Sequence, residues 1–185
     1  MRIAIVGKMR AGKDTVAEIL KKEYNFQSVA FGDGIKKIVE EFFPEACIQG
    51  KPREHYQHIG QELRKLNPDV WINYTNKEIL NILSEDLGKS KETNILVTDC
   101  RQTNEEAYLR RCGFLIVKVC ADEKTRLKRI EEAGEIVTYE QFTHDTERQV
   151  DLIKADYLIF NEKTVFELEQ QVVYMYNFFK EREGL

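Results

Sequence analysis

The stretch GKMRAGKDT, from Gly7 to Thr15, carries the first recognisable chemistry of this chain. Its spacing is that of a nucleotide-phosphate loop, GxxxxGK followed by Ser or Thr. Glycines let successive amides turn around phosphate oxygens, and a helix start adds its dipole and free N–H groups. Lys13 can neutralise terminal phosphates and the charge that shifts between them during transfer. Asp14 stands where the hydroxyl is expected, with Thr15 one residue later. A carboxylate beside a polyphosphate is repelled unless a cation lies between them, and oxygen ligands suit magnesium. Asp14 and Thr15 are therefore candidate magnesium ligands. The other reading of Asp14 is a first-turn acid favoured by the helix dipole. Gly7, Arg10, Ala11, Gly12, Lys13, Asp14 and Thr15 are expected to hold ATP.

Other groups stand at the ends of apolar runs. Asp99 closes NILVTD, and ligands of open α/β folds gather at the carboxyl ends of strands. If that strand neighbours the one before Gly7, Asp99 can organise magnesium or water; otherwise it caps the next helix. Arg101 carries the planar fork that clamps a phosphate bidentately. Asp33 lies one helical turn before Lys36 and can orient an acceptor phosphate or act as a base, although it can also be a plain N-cap. Gln61 and Arg64 share a helical face, Arg64 suited to an anion and Gln61 to the polar edge of a base or ribose. Trp71 is either a stacking platform or a core residue. Arg126 and Arg129 share a face of a basic stretch. On a mobile lid they would steady transferring charge and exclude water; the other reading is a solvated helix whose basic groups, Lys124 and Lys128 included, pair with Glu131 and Glu132. The catalytic set is thus Lys13, Asp99, Arg101, Arg126 and Arg129, with Asp33, Lys36, Gln61, Arg64, Trp71 and Arg101 for the acceptor. The metal set is Asp14, Thr15 and Asp99. His144, Asp145, Glu147 and Arg148 cluster without the second His or Cys of a metal site, and read as caps or contacts to the lid.

These groups need a scaffold. RIAIV (2–6) reads as a buried strand ended by Gly7, after which Val16, Ile19, Leu20 and Tyr24 fall on one helical face. SVAF (28–31) is a second short strand. Asp33 starts a helix whose buried face carries Ile35, Ile38, Val39 and Phe42, limited by Pro44. Ile59, Leu63 and Leu66 mark another helix and NPDVW (67–71) a break. Ile79, Leu80, Leu83 and Leu87 mark the next helix, ending near Gly88. NILVTD (94–99), FLIVKVC (114–120) and YLIF (157–160) are strands, with helices at 103–112, 122–133 and partly at 139–150. Leu168, Val172, Met175 and Phe179 define a long terminal helix. The alternation predicts an α/β fold with a mostly parallel sheet covered on both faces. The organisation expected is one domain over 1–185, with a helical acceptor-binding excursion over about 33–90 and a lid over about 122–150.

Bulk properties agree. The chain has 185 residues, 42% hydrophobic, enough for one well-buried core and tight for two full domains. A formal net charge of -4 argues against a nucleic-acid polymer as partner. Apolar runs fall short of a membrane span, and no secretory signal leads the chain. Cys47, Cys100, Cys112 and Cys120 show neither zinc spacing nor a disulfide framework, so the expected setting is cytoplasmic. Cys100 and Cys120 read as small buried hydrophobes. Tyr174, Tyr176, Phe178 and Phe179 exceed what one buried stripe needs. They form either a homodimer surface or a cover for the sheet edge.

Taken in order, GKMRAGKDT, VAFGDGIKK, HIGQELRKLNPDVW, ILVTDCRQTNEEAYLRRCGFLIVKV, THDTERQ and ADYLIFNEKTVFELEQQV resemble the phage-type deoxynucleoside monophosphate kinases. Those are akin to the animal-type phosphomevalonate kinases, and both have the three-layer P-loop kinase fold. The resemblance spans nearly the whole chain. It implies ATP and magnesium held by Gly7, Gly12, Lys13, Asp14 and Thr15, and an acceptor region containing Asp33, Lys36, Gly60, Arg64 (one residue early) and Trp71. It also implies Asp99 and Arg101 after the central strand, Asn104 and Glu105 positioning the helix that follows, and a lid motif at His144 and Glu147. The chain departs from that pattern at Gly34, where Pro often stands and which reads as a looser turn, and at Gln61–Glu62, where Thr often follows the glycine.

The leading reading is magnesium-dependent transfer of the ATP γ-phosphoryl to a nucleoside or deoxynucleoside monophosphate. Positioning and charge cancellation would do most of the catalysis. One alternative keeps the fold and changes the acceptor to another small phosphorylated metabolite. A second is a P-loop regulator that is not a kinase, which has little use for Arg64, Arg101 and a basic lid around a second anion site.

Overall fold

Along Arg2–Val6 (β1) successive side chains point to opposite faces, and Ile3, Ala4, Ile5 and Val6 are all shut off from solvent. A strand buried on both sides needs helices on both sides. The computed structural model of the chain describes residues 1–48, 50–87, 93–134, 137, 138, 142 and 145–183. They fall into two compact units, Met1–Ser28 with Glu92–Leu185, and Val29–Lys91.

The first unit begins with β1 and α1 (Lys13–Tyr24), and β2 (Gln27–Val29) leads out of it. After the second unit the chain returns through β3 (Ile95–Cys100), α6 (Thr103–Arg111), β4 (Leu115–Cys120) and α7 (Glu123–Glu132). It closes with α8 (Asp145–Leu152), β5 (Tyr157–Phe160) and α9 (Val165–Glu183). The five strands lie in the order β2-β3-β1-β4-β5, and the β1–β3, β1–β4 and β4–β5 pairs are parallel. On one face Ile3, Ile5, Leu96, Val117 and Ile159 pack with Val16 and Leu20 of α1 and with Leu168, Val172, Met175 and Phe179 of α9. On the other face Ala4, Val6, Ile95, Val97 and Ile116 are equally buried. The result is a three-layer α/β fold with a mostly parallel sheet between helices, the architecture of P-loop kinases.

The aromatics of α9 divide unequally. Tyr176 stacks on Tyr24 at 3.8 Å, Phe178 and Phe179 lie against Tyr157, and Tyr174 is left exposed. Cys100 is fully buried and Cys120 half-buried, and all four cysteines are free thiols.

The second unit consists of α2 (Asp33–Phe42), α3 (Pro44–Cys47), α4 (Arg53–Leu66) and α5 (Val70–Glu85), with α2 packed against the other three. The structure corrects several local expectations here. The strand expected over 28–31 stops at Val29, because Asp33 Oδ2 accepts the Ala30 N–H at 2.9 Å and bends the chain into α2. Gly34 lies inside α2 rather than in a loose turn, and a Cβ there would meet Trp71 and Tyr74 carbons at 3.0 Å. The break expected over 67–71 is shorter, since Val70 and Trp71 already belong to α5. Phe42, Leu66, Leu80 and Leu87, expected to pack inward, are exposed. The reason is visible in α5: its buried stripe runs through Trp71, Thr75 and Ile79, four residues apart, which turns Leu80 outward. Gly88 and His144 lie outside the described residues, as does most of the 139–144 stretch.

Candidate functional site

β1 delivers the chain to Gly7 at the carboxyl edge of the sheet. A Cβ at Gly7 would sit 2.6 Å from the Val119 carbonyl oxygen on β4, so only glycine lets the strand exit pass so close. The loop then turns on a hydrogen bond from Ala11 N–H to Lys8 O (3.1 Å) and takes positive φ at Arg10 (60°) and Gly12 (100°). Alternation of such conformations makes backbone nests that face anions. Lys13 is the first residue of α1 and only 8% exposed. Its stem lies along Gly7, and its ammonium donates to Lys8 O at 2.9 Å. Asp14 and Thr15 are exposed on the first turn of α1, where helix N–H groups lack intrahelical partners.

Behind the loop stands a set of donors from distant segments. Arg129 on α7 donates to the carbonyls of Arg10 (3.2 Å) and Ala11 (3.4 Å), and to Asn161 O (2.9 Å). Asn161, just past β5 and 7% exposed, donates from Nδ2 to Ala11 O at 2.9 Å. Arg126 is 5% exposed, lies 4.6 Å from the Phe142 ring centroid and reaches Met9 O at 3.4 Å. Its Nε is buried and finds no hydrogen-bond partner among the described residues. Thus the two arginines read from sequence as lid groups engage backbone carbonyls of the phosphate loop. On the same helix Lys128 pairs with Glu132 at 3.6 Å, so the solvated-helix reading holds for that lysine, while the guanidiniums of Arg126 and Arg129 turn to the loop. Lys8 also pairs with Asp151 (2.7 Å) and Lys118 Nζ donates to Val150 O (2.8 Å), fastening the end of α8 beside the loop.

Asp99 and Arg101 arrive from the neighbouring strand. β3 pairs directly with β1, which is the condition the sequence reading set for bringing Asp99 beside the loop. The register slips: Ala4 faces Val97 but Val6 faces Cys100, so one extra residue is accommodated in β3 at Thr98–Asp99. Such a bulge re-aims a side chain at a strand end. It also keeps Cys100 fully buried, where burial pushes its thiol pKa well up. Capping of α6 does not fall to Asp99. Gln102 and Glu105 form a capping box, and Glu105 Oε2 accepts the N–H groups of Arg101 (2.8 Å) and Gln102 (3.0 Å). Glu105 therefore holds the Asp99–Arg101 turn in shape.

Arg101 apart, the acceptor candidates belong to the second unit. Asp33 pairs with Lys36 at 2.8 Å while accepting the Ala30 N–H. Gln61 and Arg64 sit one turn apart on α4, both partly exposed, with Arg64 Nη1 3.5 Å from Gly60 O. Trp71 is only 3% exposed, and its indole N–H donates to Gly60 O at 3.1 Å. Its ring packs on Gly34 rather than standing open to a base. The side chain of Glu147 and all of His144 lie outside the described residues. Asn161 is the residue the sequence reading passed over. Its one signal is a polar side chain at the carboxyl end of the last strand.

The fold and the loop define a class. A family model described as AAA domain matches residues 3–148, and the chain belongs to that family. Among solved structures it is similar to dephospho-CoA kinase from Campylobacter jejuni, at 16% identity and TM-score 0.56 over 99% of this chain and 98% of that one. It is similar as well to shikimate kinase from Aquifex aeolicus (20% identity, TM-score 0.51, 96% of each chain). A gluconokinase from Sinorhizobium meliloti matches at 12% identity and TM-score 0.55, over 98% of this chain and 94% of that one. At such identities the likeness is one of fold.

Proposed function

We propose that the chain transfers the γ-phosphoryl group of ATP to a small-molecule acceptor. The observation that carries this reading is the glycine loop with buried Lys13 at the β1–α1 junction, beside Asp99 and Arg101 at the end of the adjacent parallel strand. The loop amides and Lys13 hold the donor phosphates, and Arg101 offers a bidentate clamp for a phosphate oxygen pair. Among the described residues no group of three His, Cys, Asp or Glu could hold a metal alone. Magnesium takes one or two carboxylates and completes its shell with waters and substrate phosphates. Asp14, Thr15 and Asp99 are the oxygen donors that would hold it, and the ion would supply charge neutralisation at the transferring phosphates. Arg126 and Arg129 hold the loop from behind.

Two acceptor classes follow. Fold likeness to kinases of dephospho-CoA, shikimate and gluconate supports a small metabolite as acceptor. The ordered motifs that resemble deoxynucleoside monophosphate kinases support a nucleoside or deoxynucleoside monophosphate instead. Arg64, Gln61, Asp33 and Lys36 are the acceptor-side groups in either case. The test is ATP consumption with a panel of nucleoside monophosphates and small metabolites, run on the wild type and on Lys13→Ala. One acceptor class should stimulate turnover, and Lys13→Ala should cut it about 100-fold or more while the protein stays folded. Full activity of Lys13→Ala rules the mechanism out, and turnover indifferent to every acceptor favours a nucleotide-binding regulator.

A further inference from the structure

Asn161 is separated from Ala11 by 150 positions, yet its side-chain amide is buried on the Ala11 carbonyl at 2.9 Å. Its backbone is held from two sides: its N–H donates to Cys120 O at 2.7 Å, and its carbonyl accepts from Arg129 at 2.9 Å. Arg129 in turn reaches the Arg10 and Ala11 carbonyls. Three segments of the chain, the loop, α7 and the end of β5, thus meet at one peptide group. In a trans peptide the carbonyl and the following N–H point in opposite directions. Holding Ala11 O on Asn161 and Arg129 therefore aims the Gly12 N–H away from them. Gly12 sits at φ 100°, and a Cβ there would lie 2.0 Å from Asn161 Nδ2. The glycine thus serves both the turn and the close approach of the amide.

We propose that Asn161 is a positioning residue for the donor phosphates: its amide locks the Ala11–Gly12 peptide so that the Gly12 N–H faces the bound anion. This rests on the reading of the loop as a phosphate site. It adds a residue from the far end of the chain that sets how well the loop is preorganised. Without the Nδ2 donor the peptide can rotate, and the cost of ordering it falls on ligand binding.

The experiment compares wild type, Asn161→Ala and Asn161→Asp, the second keeping the side-chain volume while removing the donor. Binding of inorganic tripolyphosphate and of AMPPNP is measured by calorimetry well below each variant's melting temperature. Both variants should bind both ligands about tenfold more weakly, as expected for one lost hydrogen bond acting on the phosphate end. Affinities within about twofold of wild type for tripolyphosphate overturn the proposal, even if the melting temperature falls, because a purely structural role moves only the latter. Loss confined to AMPPNP overturns it too, since Asn161 would then act on the base. A wild type that binds neither ligand removes the donor-site reading and this proposal with it. Binding by wild type with unchanged variants removes the proposal alone.

Discussion

At the scale of single residues, the loop depends on two glycines for different reasons. Gly7 clears a backbone carbonyl of β4, and Gly12 combines a left-handed conformation with the approach of Asn161. Gly12→Ala therefore meets backbone strain and a side-chain collision together. The expected loss is about 1–3 kcal/mol of folding stability, read as a lower urea midpoint, together with weaker nucleotide binding. A Gly12→Ala protein with wild-type midpoint and affinity would show that the loop is far more pliant than its dihedrals suggest. Lys13 is legible in the motif spacing. The tie of its ammonium to Lys8 O is not, because no spacing rule says where a flexible four-carbon stem comes to rest.

At the scale of elements, helix starts show what local sequence can and cannot specify. Asp122 caps α7 by accepting the Thr125 N–H at 2.6 Å, and that backbone bond holds its carboxyl below the usual carboxylate range. A folded-state pKa below the unfolded one means that the cap stabilises at neutral pH. That contribution is lost as pH falls from the unfolded value through the lower folded one. The melting-temperature gap between wild type and Asp122→Ala should accordingly be constant near neutrality and close in acid. A gap that persists unchanged at the most acidic pH where the protein still folds would contradict the assignment. The cap matters beyond α7 itself, since this helix carries Arg126 and Arg129 to the loop. By contrast, α6 is capped by Gln102 with Glu105: the family resemblance pointed to Glu105 for positioning this helix, and Gln102 is the partner it did not name.

For the molecule as a whole, the sheet is the platform and α9 its cover in the first unit. Phe179 is fully buried there, against Tyr157 and Phe178, among the residues that line the same face as Ile3 and Ile5. Phe179→Ala should cost about 3–5 kcal/mol, seen as a lower urea midpoint with unchanged slope. A loss below about 1 kcal/mol would mean that α9 is peripheral to the core. No described helix is long and apolar enough to cross a membrane.

Local sequence was sufficient for the succession of strands and longer helices, though not for the short α3, for the mostly parallel α/β architecture and for the position of the phosphate loop. Those features rest on periodicity and on glycine placement, which act over a few residues. Only the tertiary structure decided that β3 slips in register beside Asp99, and that Leu66 and Leu80 face solvent. It alone brought Arg126, Arg129 and Asn161 onto consecutive loop carbonyls. The reason is physical: a backbone carbonyl looks alike at every position, so which donor reaches it depends on how strands far apart in the chain come to lie side by side.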